Sequence, residues 1–304
     1  MSKIEKELLL AVADLHQIPT GAYNIRENGK GVDRQSSANI DIIPKKDKNG
    51  IDIIIKDNTK NESVHIPVII TQSGIKDLVY NDFYVGENCD VLIVAGCGIH
   101  NPDKDSSEHN GIHSFHIGKN SKVRYVEKHL GVGQKGDKIL NPVTNIEMED
   151  NSLMEMETTQ LGGVTSSIRD TSAVLKNKAK LVITEKILTN ESQVATTKFN
   201  VRLRGENSSC EVISRSVAKG KSYQDFKSTV IGDNRSFGHV ECDAILMDDA
   251  RIVSTPEIVA NCVDATLVHE AAIGKIAGDQ MTKLMTLGLT EQEAEDMIIR
   301  GFLS

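Results

Sequence analysis

Short β-branched apolar runs, separated by compact polar turns, follow one another from about Val64 to Glu270. The runs are four to eight residues long, a length typical of strands and too short for most buried helices. Many turns carry an Asn or Asp shortly before the next run, and Asn tolerates the left-handed backbone conformation of a sharp corner. We therefore predict corners at Asn88, Asn120, Asp150-Asn151, Asn177, Asn207, Asp233-Asn234 and Asp248.

The predicted corners recur at intervals that fit a loose repeat of about 13–17 residues or its double. Strands of similar length, bent at such a spacing, favour the stacked coils of a β-solenoid. A β-sandwich is the alternative, because its turns recur about every 8–12 residues. The sequence lacks the tight two-residue hairpin signals that a sandwich or an up-and-down barrel would favour, so we predict the solenoid.

The N-terminal residues instead have the period of an amphipathic helix. Ser2 and Glu5 form a capping box, and Pro19 ends the helix. Its apolar face would contain Ile4, Leu8, Ala11, Val12 and Leu15.

The C-terminal tail has the same helical period. We predict one helix from Ala277 to Leu287, with Gly288 as its C-cap, and a second that Thr290 and Glu293 open with a capping box. Methionines on these helices suit either an adaptable docking surface or ordinary core packing. The predicted divisions are an N-terminal segment (1–60), a β-helix core (61–270) and a helical module (271–304).

Composition narrows the class of protein. A net charge of -8 over 304 residues argues against nucleic acid or an anionic membrane as the main partner, because both attract a basic surface. No apolar run approaches the roughly 20 residues of a membrane span, and no secretory signal opens the sequence, so we expect a cytoplasmic protein. The five cysteines form no CxxC pair and are expected to be reduced thiols.

Residues 131–136 match the GxGxxG pattern of a dinucleotide site. Such a site needs a helix that opens at the third glycine, and Pro142 follows too closely for one. We therefore predict a flexible glycine loop and no nucleotide site on this chain.

His109, His113 and His116 lie in one short run that also contains Gly111. The glycine and the β-branched neighbours argue against a helix, and no HExxH motif is present, so a zinc protease is not expected. In a strand, His113 and His116 would point to opposite faces. We expect buried, hydrogen-bonded roles for most of these histidines, with metal ligation as the alternative.

Glu127 and His129 alternate along the next predicted strand, so both would project from one face. We interpret this face as solvated, and a polar groove is the alternative. The residues alone leave open whether Cys97, His113 or Glu127 takes part in a functional site.

Cys242, His269 and Glu270 carry the strongest candidate chemistry. Thiolate, imidazole and carboxylate together can hold iron or another transition metal. The separation of His269 and Glu270 from Cys242 is close to two of the short repeats, so adjacent coils could bring these side chains together. A buried structural cysteine is the alternative interpretation.

Several segments resemble the SufB/SufD family of iron–sulfur cluster assembly scaffolds. The resemblance runs from about Ile40 to Phe302 and is strongest in GHVECDAI, VHEAAIGKIAGDQ, LMTLGL and IIRGFL. Further similar segments are VAGCGIHN, YVEKH and SRSVAKGKSYQDF. The cysteine and the His-Glu pair make the chain more similar to SufB than to SufD.

The resemblance implies a right-handed parallel β-helix core, followed by helices that dock a SufC-like ABC ATPase. It implies a non-enzymatic scaffold that dimerises through its last coils, as a homodimer or with a SufD-like paralogue. A transient iron–sulfur cluster would form near that interface, with Cys242 as cluster or persulfide ligand and Glu270, with His269, holding iron. The segment Ile273–Phe302 would dock the ATPase. A sulfur donor and apo iron–sulfur proteins would be further partners.

Two features depart from the family pattern. We expect a short form, because the sequence has no counterpart of the large N-terminal helical domain of typical bacterial SufB proteins. Arg251 stands where many SufB proteins have a second cysteine, which leaves the site dependent on Cys242. Two other functions remain open: a solenoid enzyme acting on polysaccharide, and an adaptor in which the cysteine is inert.

Overall fold

A computed structural model describes residues 3–13, 21–160 and 162–304 of the chain. In chain order its elements are α1 (Lys3–Ala13), β1 (Ala22–Glu27), β2 (Lys30–Gln35), β3 (Ile40–Pro44), β4 (Gly50–Ile55), β5 (Lys60–Ile70), β6 (Lys76–Val85), β7 (Asp90–His100), β8 (Ser107–Ile117), β9 (Lys122–Val132), β10 (Lys138–Leu140), β11 (Val143–Met148), β12 (Leu153–Gln160), β13 (Ser166–Leu175), β14 (Lys180–Thr189), β15 (Val194–Leu203), β16 (Ser208–Ala218), β17 (Tyr223–Gly232), β18 (Ser236–Leu246), β19 (Arg251–Ala260), β20 (Ala265–Gly274), α2 (Gly278–Thr286) and α3 (Glu291–Phe302).

The strands form two long, mostly parallel sheets on either side of one apolar core. Sheet A has the order β2-β1-β5-β7-β9-β12-β14-β16-β18-β20. Sheet B has the order β19-β17-β15-β13-β10-β8-β6-β4-β3, with β11 also beside β8 and β13. The chain thus alternates between the sheets as it winds through about 8 turns. The predicted β-helix class is confirmed, and the sandwich is not formed.

Each full coil places a residue beside its equivalent in the next coil. Leu181 pairs with Cys210, and Cys210 pairs with Gly238, so one coil spans about twice the short repeat predicted from the turns. Stacking of equivalent side chains fills the core; the rings of Phe83 and Phe115, for example, lie parallel with centroids 4.4 Å apart. This coil length confirms the doubled form of the repeat.

Several predicted corners adopt the left-handed conformation. The φ angles are 55° at Asn88, 57° at Asn120 and 59° at Asn207, and Asn151 and Asp248 are similar. At the corner after β13, however, the left-handed residue is Lys178 rather than Asn177. The amide oxygen of Asn177 instead accepts a 2.9 Å hydrogen bond from the backbone N–H of Glu206, which ties this corner to the next coil.

The N-terminal end of the solenoid is closed by two antiparallel hairpins, β1–β2 and β3–β4. Asn28 and Gly29 form the first turn with φ angles of 47° and 79°, the combination that a tight two-residue hairpin requires. Neither hairpin was predicted, although Asn-Gly is a known hairpin signal. Ile40 of β3 and Ile51 of β4 belong to the second hairpin and are fully buried, so this hairpin covers the core at this end.

Helix α1 packs on the outer face of sheet A. Leu8, Leu9, Val12 and Ala13 are buried there, whereas Ile4 is exposed, so the contact face is rotated from the predicted one. The predicted helix also included the capping residue Ser2, the apolar Leu15 and the terminating Pro19. These three residues lie outside the described part of the chain. The helix can approach the sheet closely because residue 96 is a glycine. A Cβ at this position would lie only 2.5 Å from the backbone oxygen of Val12.

The C-terminal helices are as predicted. Thr290 and Glu293 form both halves of the capping box of α3, and Gly288 has a φ of 97° after α2. An ion pair between Lys219 and Glu295 joins α3 to the solenoid. The boundaries proposed at residues 60 and 270 remain predictions.

Candidate functional site

Cys242 lies on the inner face of β18, near the last coil of the solenoid. It is 1% exposed, and its neighbours in register are Ser214 on β16 and Ala271 on β20. Burial raises the pKa of its thiol to about 11, while the hydroxyl of Ser254, from the opposite sheet, opposes that shift. The thiol is therefore protonated in the free chain at neutral pH, and binding a metal would have to displace the proton.

His269 lies on the same inner face, one strand further on. It is in register with Val240, two residues from the level of Cys242, and is partly buried. Burial lowers the pKa of its imidazole, and the charge of His239 adds to that effect. Its Nε2 is buried and makes no hydrogen bond to the described residues, so a neutral imidazole nitrogen is left without a partner.

Glu270 projects from the outer face of β20, away from the core. It is in register with Glu241 of β18, so two carboxylates lie side by side at a strand spacing of about 4.8 Å. Burial and the nearby Asp243 raise the pKa of Glu241. Glu241 was not predicted, although its place two residues after His239 in GHVEC puts both on one strand face.

The three candidate residues thus lie on adjacent strands, but their side chains do not converge on one point. The register pairs Cys242 with Ala271, so Glu270, the preceding residue, falls on the opposite face of β20. Among the described residues, no three His, Cys, Asp or Glu side chains are grouped closely enough to hold a metal ion. Ligation of a metal therefore needs groups from outside this chain or a local rearrangement.

Arg251 is the first residue of β19. It is exposed, and its guanidinium lies 5.9 Å from the centre of the Tyr223 ring, close enough for a cation–π contact. Arg251 does not face the Cys242 thiol, because it pairs in register with Tyr223, which lies on the outer face of sheet B.

The end of the solenoid beside Cys242 is open. β20 and β19 are the last strands of sheets A and B, and each pairs on one side only. Their core-facing side chains are poorly covered: Ile258 is 43% exposed and Ile273 is 42% exposed. At the other end, Ile40 of β3 and Ile51 of β4 are buried, so the two ends of the molecule differ in how well their core is covered.

A buried polar cluster runs through the interior, and it includes the Glu127–His129 pair. Both side chains are at most 3% exposed, so the predicted solvated face is wrong: this face of β9 points into the solenoid. Glu127 bonds the guanidinium of Arg169 at 2.5 Å and accepts a 2.9 Å bond from Tyr125. Arg169 also donates to Nδ1 of His129 at 3.2 Å. No local pattern signals Arg169, because its partners lie on other coils.

Charge and burial set the ionisation of this cluster. Arg169 lies closest to Glu127, and this charge, helped by the neighbouring histidines, holds the pKa of Glu127 well below its usual range against the effect of burial. Glu185, 3.6 Å from Nε of Arg169, keeps a pKa raised by burial and receives hydrogen bonds from Thr197 and Ser214. Through the hydrogen bond from Ser214 to Glu185, the cluster reaches β16, where Ser214 is the neighbour of Cys242 in register.

His109 and His113 are buried in the same interior, whereas His116 faces outward and stacks on Tyr84. The opposite orientation of His113 and His116 confirms the strand prediction. Burial lowers the pKa of His113 to about 4, so this imidazole is neutral at physiological pH.

Comparison with known proteins decides the family. The family model described as "SUF system FeS cluster assembly, SufBD core domain" matches residues 79–302, more than two thirds of the chain. The chain belongs to the SufBD family. The matched range contains Cys242, His269, Glu270, the interior cluster and both C-terminal helices.

Individual relatives agree with this assignment. An iron–sulfur cluster assembly SufBD family protein of Methanocaldococcus jannaschii is 28% identical over 256 residues, which cover 83% of this chain and 79% of the relative. A SufBD family protein of Archaeoglobus fulgidus is 30% identical over 79% of this chain and 65% of the relative. One from Methanothermobacter thermautotrophicus is 30% identical over 78% of this chain but 58% of its own length. This chain therefore spans little more than half of some SufBD relatives.

Family membership gives the chain a role in iron–sulfur cluster assembly. None of the helices in the described part of the chain has both the length and the apolar character needed to cross a membrane. The polysaccharide-active alternative has no support from these comparisons.

Proposed function

We propose that this SufBD chain is a cytoplasmic, non-enzymatic scaffold on which nascent iron–sulfur clusters are assembled. Cys242 would be the sulfur-bearing or cluster ligand. Glu270, with His269 and Glu241, would hold iron. A separate sulfur donor would supply the sulfur, and apo iron–sulfur proteins would receive the cluster.

The observation that carries the proposal is the open end of the solenoid beside Cys242. Uncovered apolar side chains and unpaired strand edges invite pairing with another chain. We infer that a second copy covers this end by two-fold symmetry, with a SufD-like paralogue as the alternative partner. Because one chain does not bring its candidate ligands together, the partner would complete the ligand set.

The C-terminal helices provide a second surface. Their exposed apolar residues include Met285 at 44%, Met297 at 45% and Leu287 at 73% exposure. Methionine adapts to different partners, and exposed apolar side chains on a helix pair suit docking. We infer that α2 and α3 bind a SufC-like ABC ATPase, whose nucleotide hydrolysis would drive assembly.

Anaerobic reconstitution with Fe²⁺ and sulfide tests the cluster site. We expect visible charge-transfer absorption in the wild-type chain and its loss in Cys242→Ala. Cys210→Ala is the matched control, because Cys210 is an equally buried thiol on the inner face of the neighbouring strand β16. Equal absorption in both variants would favour the adaptor function with an inert cysteine.

Hydrodynamic mass tests the dimer. Ile258→Asp with Ile273→Asp places charge on the open end and should convert a dimer into a monomer. Val32→Asp is the control, since Val32 is 54% exposed at the closed end on β2. A wild-type chain that is monomeric alone and with a SufD-like partner would contradict the interface.

Binding to a purified ABC ATPase subunit tests the helical surface. Leu287→Asp should abolish co-elution, whereas Leu78→Asp, at an exposed apolar residue of sheet B, should leave it unchanged. Retained binding in Leu287→Asp would mean that the ATPase docks on a different surface.

A further inference from the structure

A polar cleft opens at the corner where the solenoid turns from β9 to β10. Its volume is about 660 Å³, within the range of small-molecule sites in proteins. The glycine loop predicted at residues 131–136 lines it through Gly133 and Gly136, and the corner after β14 contributes residues 191–193. Its described lining includes no residue of the proposed cluster site or of the C-terminal helices.

Lys138 lines this cleft as a buried cation. The residue is 5% exposed, and its ammonium donates to the backbone oxygen of Gly136 at 3.1 Å and, more weakly, to that of Lys135 at 3.4 Å. An ammonium has three hydrogens to donate. Within the described part of the chain no carboxylate forms an ion pair with it, so one hydrogen and the whole positive charge are left without a counterpart.

Three other cations are buried to a similar degree, and all three are paired. The side chains of Arg26, Lys45 and Arg169 are each 7% exposed, and each contacts at least one carboxylate. Burying a charge is costly unless a partner of opposite charge compensates it. Lys138 lacks such a partner, and burial accordingly lowers the pKa of its ammonium. An anion that enters the cleft would supply the missing counter-charge.

Other groups in the lining can donate hydrogen bonds to the same anion. Lys104 contributes an exposed ammonium, Gln134 a carboxamide and Ser192 a hydroxyl, and none of these side chains bonds to another described residue. The hydroxyl oxygen of Thr165 accepts a 3.1 Å bond from the backbone N–H of Lys138, which leaves its hydrogen available to donate.

Two carboxylates determine what else the ligand must carry. Asp137 and Glu191 line the cleft, and both residues are exposed. They would repel a bare anion, but they can accept hydrogen bonds from a hydroxyl or amine group. The cleft is also larger than a simple inorganic anion needs. Both features favour an organic molecule with an oxyanion at one end and hydrogen-bond donors at the other.

We propose that this cleft binds a small organic oxyanion, a carboxylate or phosphate that also carries hydroxyl or amine groups, with Lys138 as its buried counter-charge. The oxyanion accepts the unused hydrogen of the Lys138 ammonium, and Lys104 adds a second positive charge. The hydroxyl or amine groups of the ligand donate to Asp137 or Glu191. The site does not depend on Cys242.

Titration calorimetry of the full, metal-free chain tests the site with glycerate, glycerol 3-phosphate and inorganic phosphate. We expect one ligand per chain, with an organic probe binding more tightly than inorganic phosphate; the ratio of glycerate to glycerol 3-phosphate affinity tells which oxyanion the site prefers. Lys138→Met should weaken binding about tenfold or more, because it removes a hydrogen bond to a charged group. Lys119→Met, at an exposed lysine on a different corner, should leave the affinity unchanged.

Thermal unfolding separates anion binding from a purely structural role of Lys138. Glycerol 3-phosphate should raise the unfolding midpoint of the wild-type chain but not that of Lys138→Met. If Lys138→Met does not fold, Lys104→Met takes its place, because Lys104 is exposed and its loss should weaken binding without disturbing the fold.

The proposal is overturned if the wild-type chain binds none of the three probes, or if a folded Lys138→Met chain binds them as tightly as wild type. The second result would leave Lys138 as a structural support of the glycine loop. Retained affinity in Lys104→Met has the same meaning where Lys138→Met cannot be folded. None of these results bears on cluster formation at Cys242, which the reconstitution experiment measures separately.

Discussion

Replacing Arg169 by Met tests whether one guanidinium neutralises the buried carboxylates of the interior. The Arg169 side chain is 7% exposed and lies 2.5 Å from Glu127 and 3.6 Å from Glu185, whose side chains are at most 3% exposed. Met fills a similar volume but has no charge. Removing one partner of a buried ion pair costs about 3–5 kcal/mol, because the remaining charge stays desolvated. That is a large part of the roughly 5–15 kcal/mol that stabilises a typical domain.

Urea unfolding at neutral pH, followed by far-ultraviolet circular dichroism, measures this loss. Arg202→Met is the matched control, because Arg202 pairs with Asp233 at the surface, where an ion pair contributes about 0–1 kcal/mol. Equal destabilisation of the two variants would refute the view that the interior carboxylates depend on Arg169.

The pH dependence supplies a second criterion for Arg169→Met. The pKa of Glu127 is lowered in the folded chain, so its stabilising contribution is present above the unfolded pKa and is lost as the pH falls through the folded one. The variant lacks most of this contribution. The difference in unfolding free energy between wild type and variant should therefore shrink as the pH falls below about 4.3, the usual value for Glu. A constant difference down to acid pH would contradict this assignment.

Three further predictions concern packing, reactivity and corner geometry. Gly96→Ala should release α1 and expose it to proteolysis, because the new Cβ would lie 2.5 Å from a backbone oxygen of the helix; Gly274→Ala, with nothing within 4 Å, should not. Cys242, with a pKa raised to about 11, should be alkylated by iodoacetamide far more slowly than the partly exposed Cys262 at pH 8, and its rate should rise steeply towards pH 11. Asn120→Val should lower the unfolding free energy by about 1–3 kcal/mol, since a β-branched residue is strained at a positive φ, whereas Asn120→Gly should be close to neutral.

Each of these has an outcome that would count against it. Protection of α1 in Gly96→Ala would mean that the helix is not held by close backbone approach. Faster alkylation of Cys242 than of Cys262, measured by peptide mass spectrometry, would mean that the thiol is accessible and ionised. A neutral Asn120→Val would mean that the corner relaxes without strain.

Local signals predicted much of the architecture. Strand-length apolar runs and Asn corners are properties of a few neighbouring residues, and the capping box of α3 needs only Thr290 and Glu293, so these elements were predictable. The Asn28-Gly29 pair was also a signal of the first hairpin, which the longer repeat obscured. The interior cluster had no such signal: Glu127 and Arg169 lie on different coils, and an alternating strand pattern does not say which face is inside.

The sequence by itself determined a β-solenoid with helices at both ends, and it singled out Cys242, His269 and Glu270 by residue type and motif. Only the tertiary structure decided which face of the sheet each of these side chains points from. The coil from β18 to β20 is one residue longer than the coil before it, so Ala271 takes the place beside Cys242. Glu270 pairs with Glu241 instead, and its carboxylate points outward while Cys242 points into the core. The physical reason is the two-residue period of a strand: one residue of coil length, set by the packing of a whole turn, exchanges the inner face for the outer.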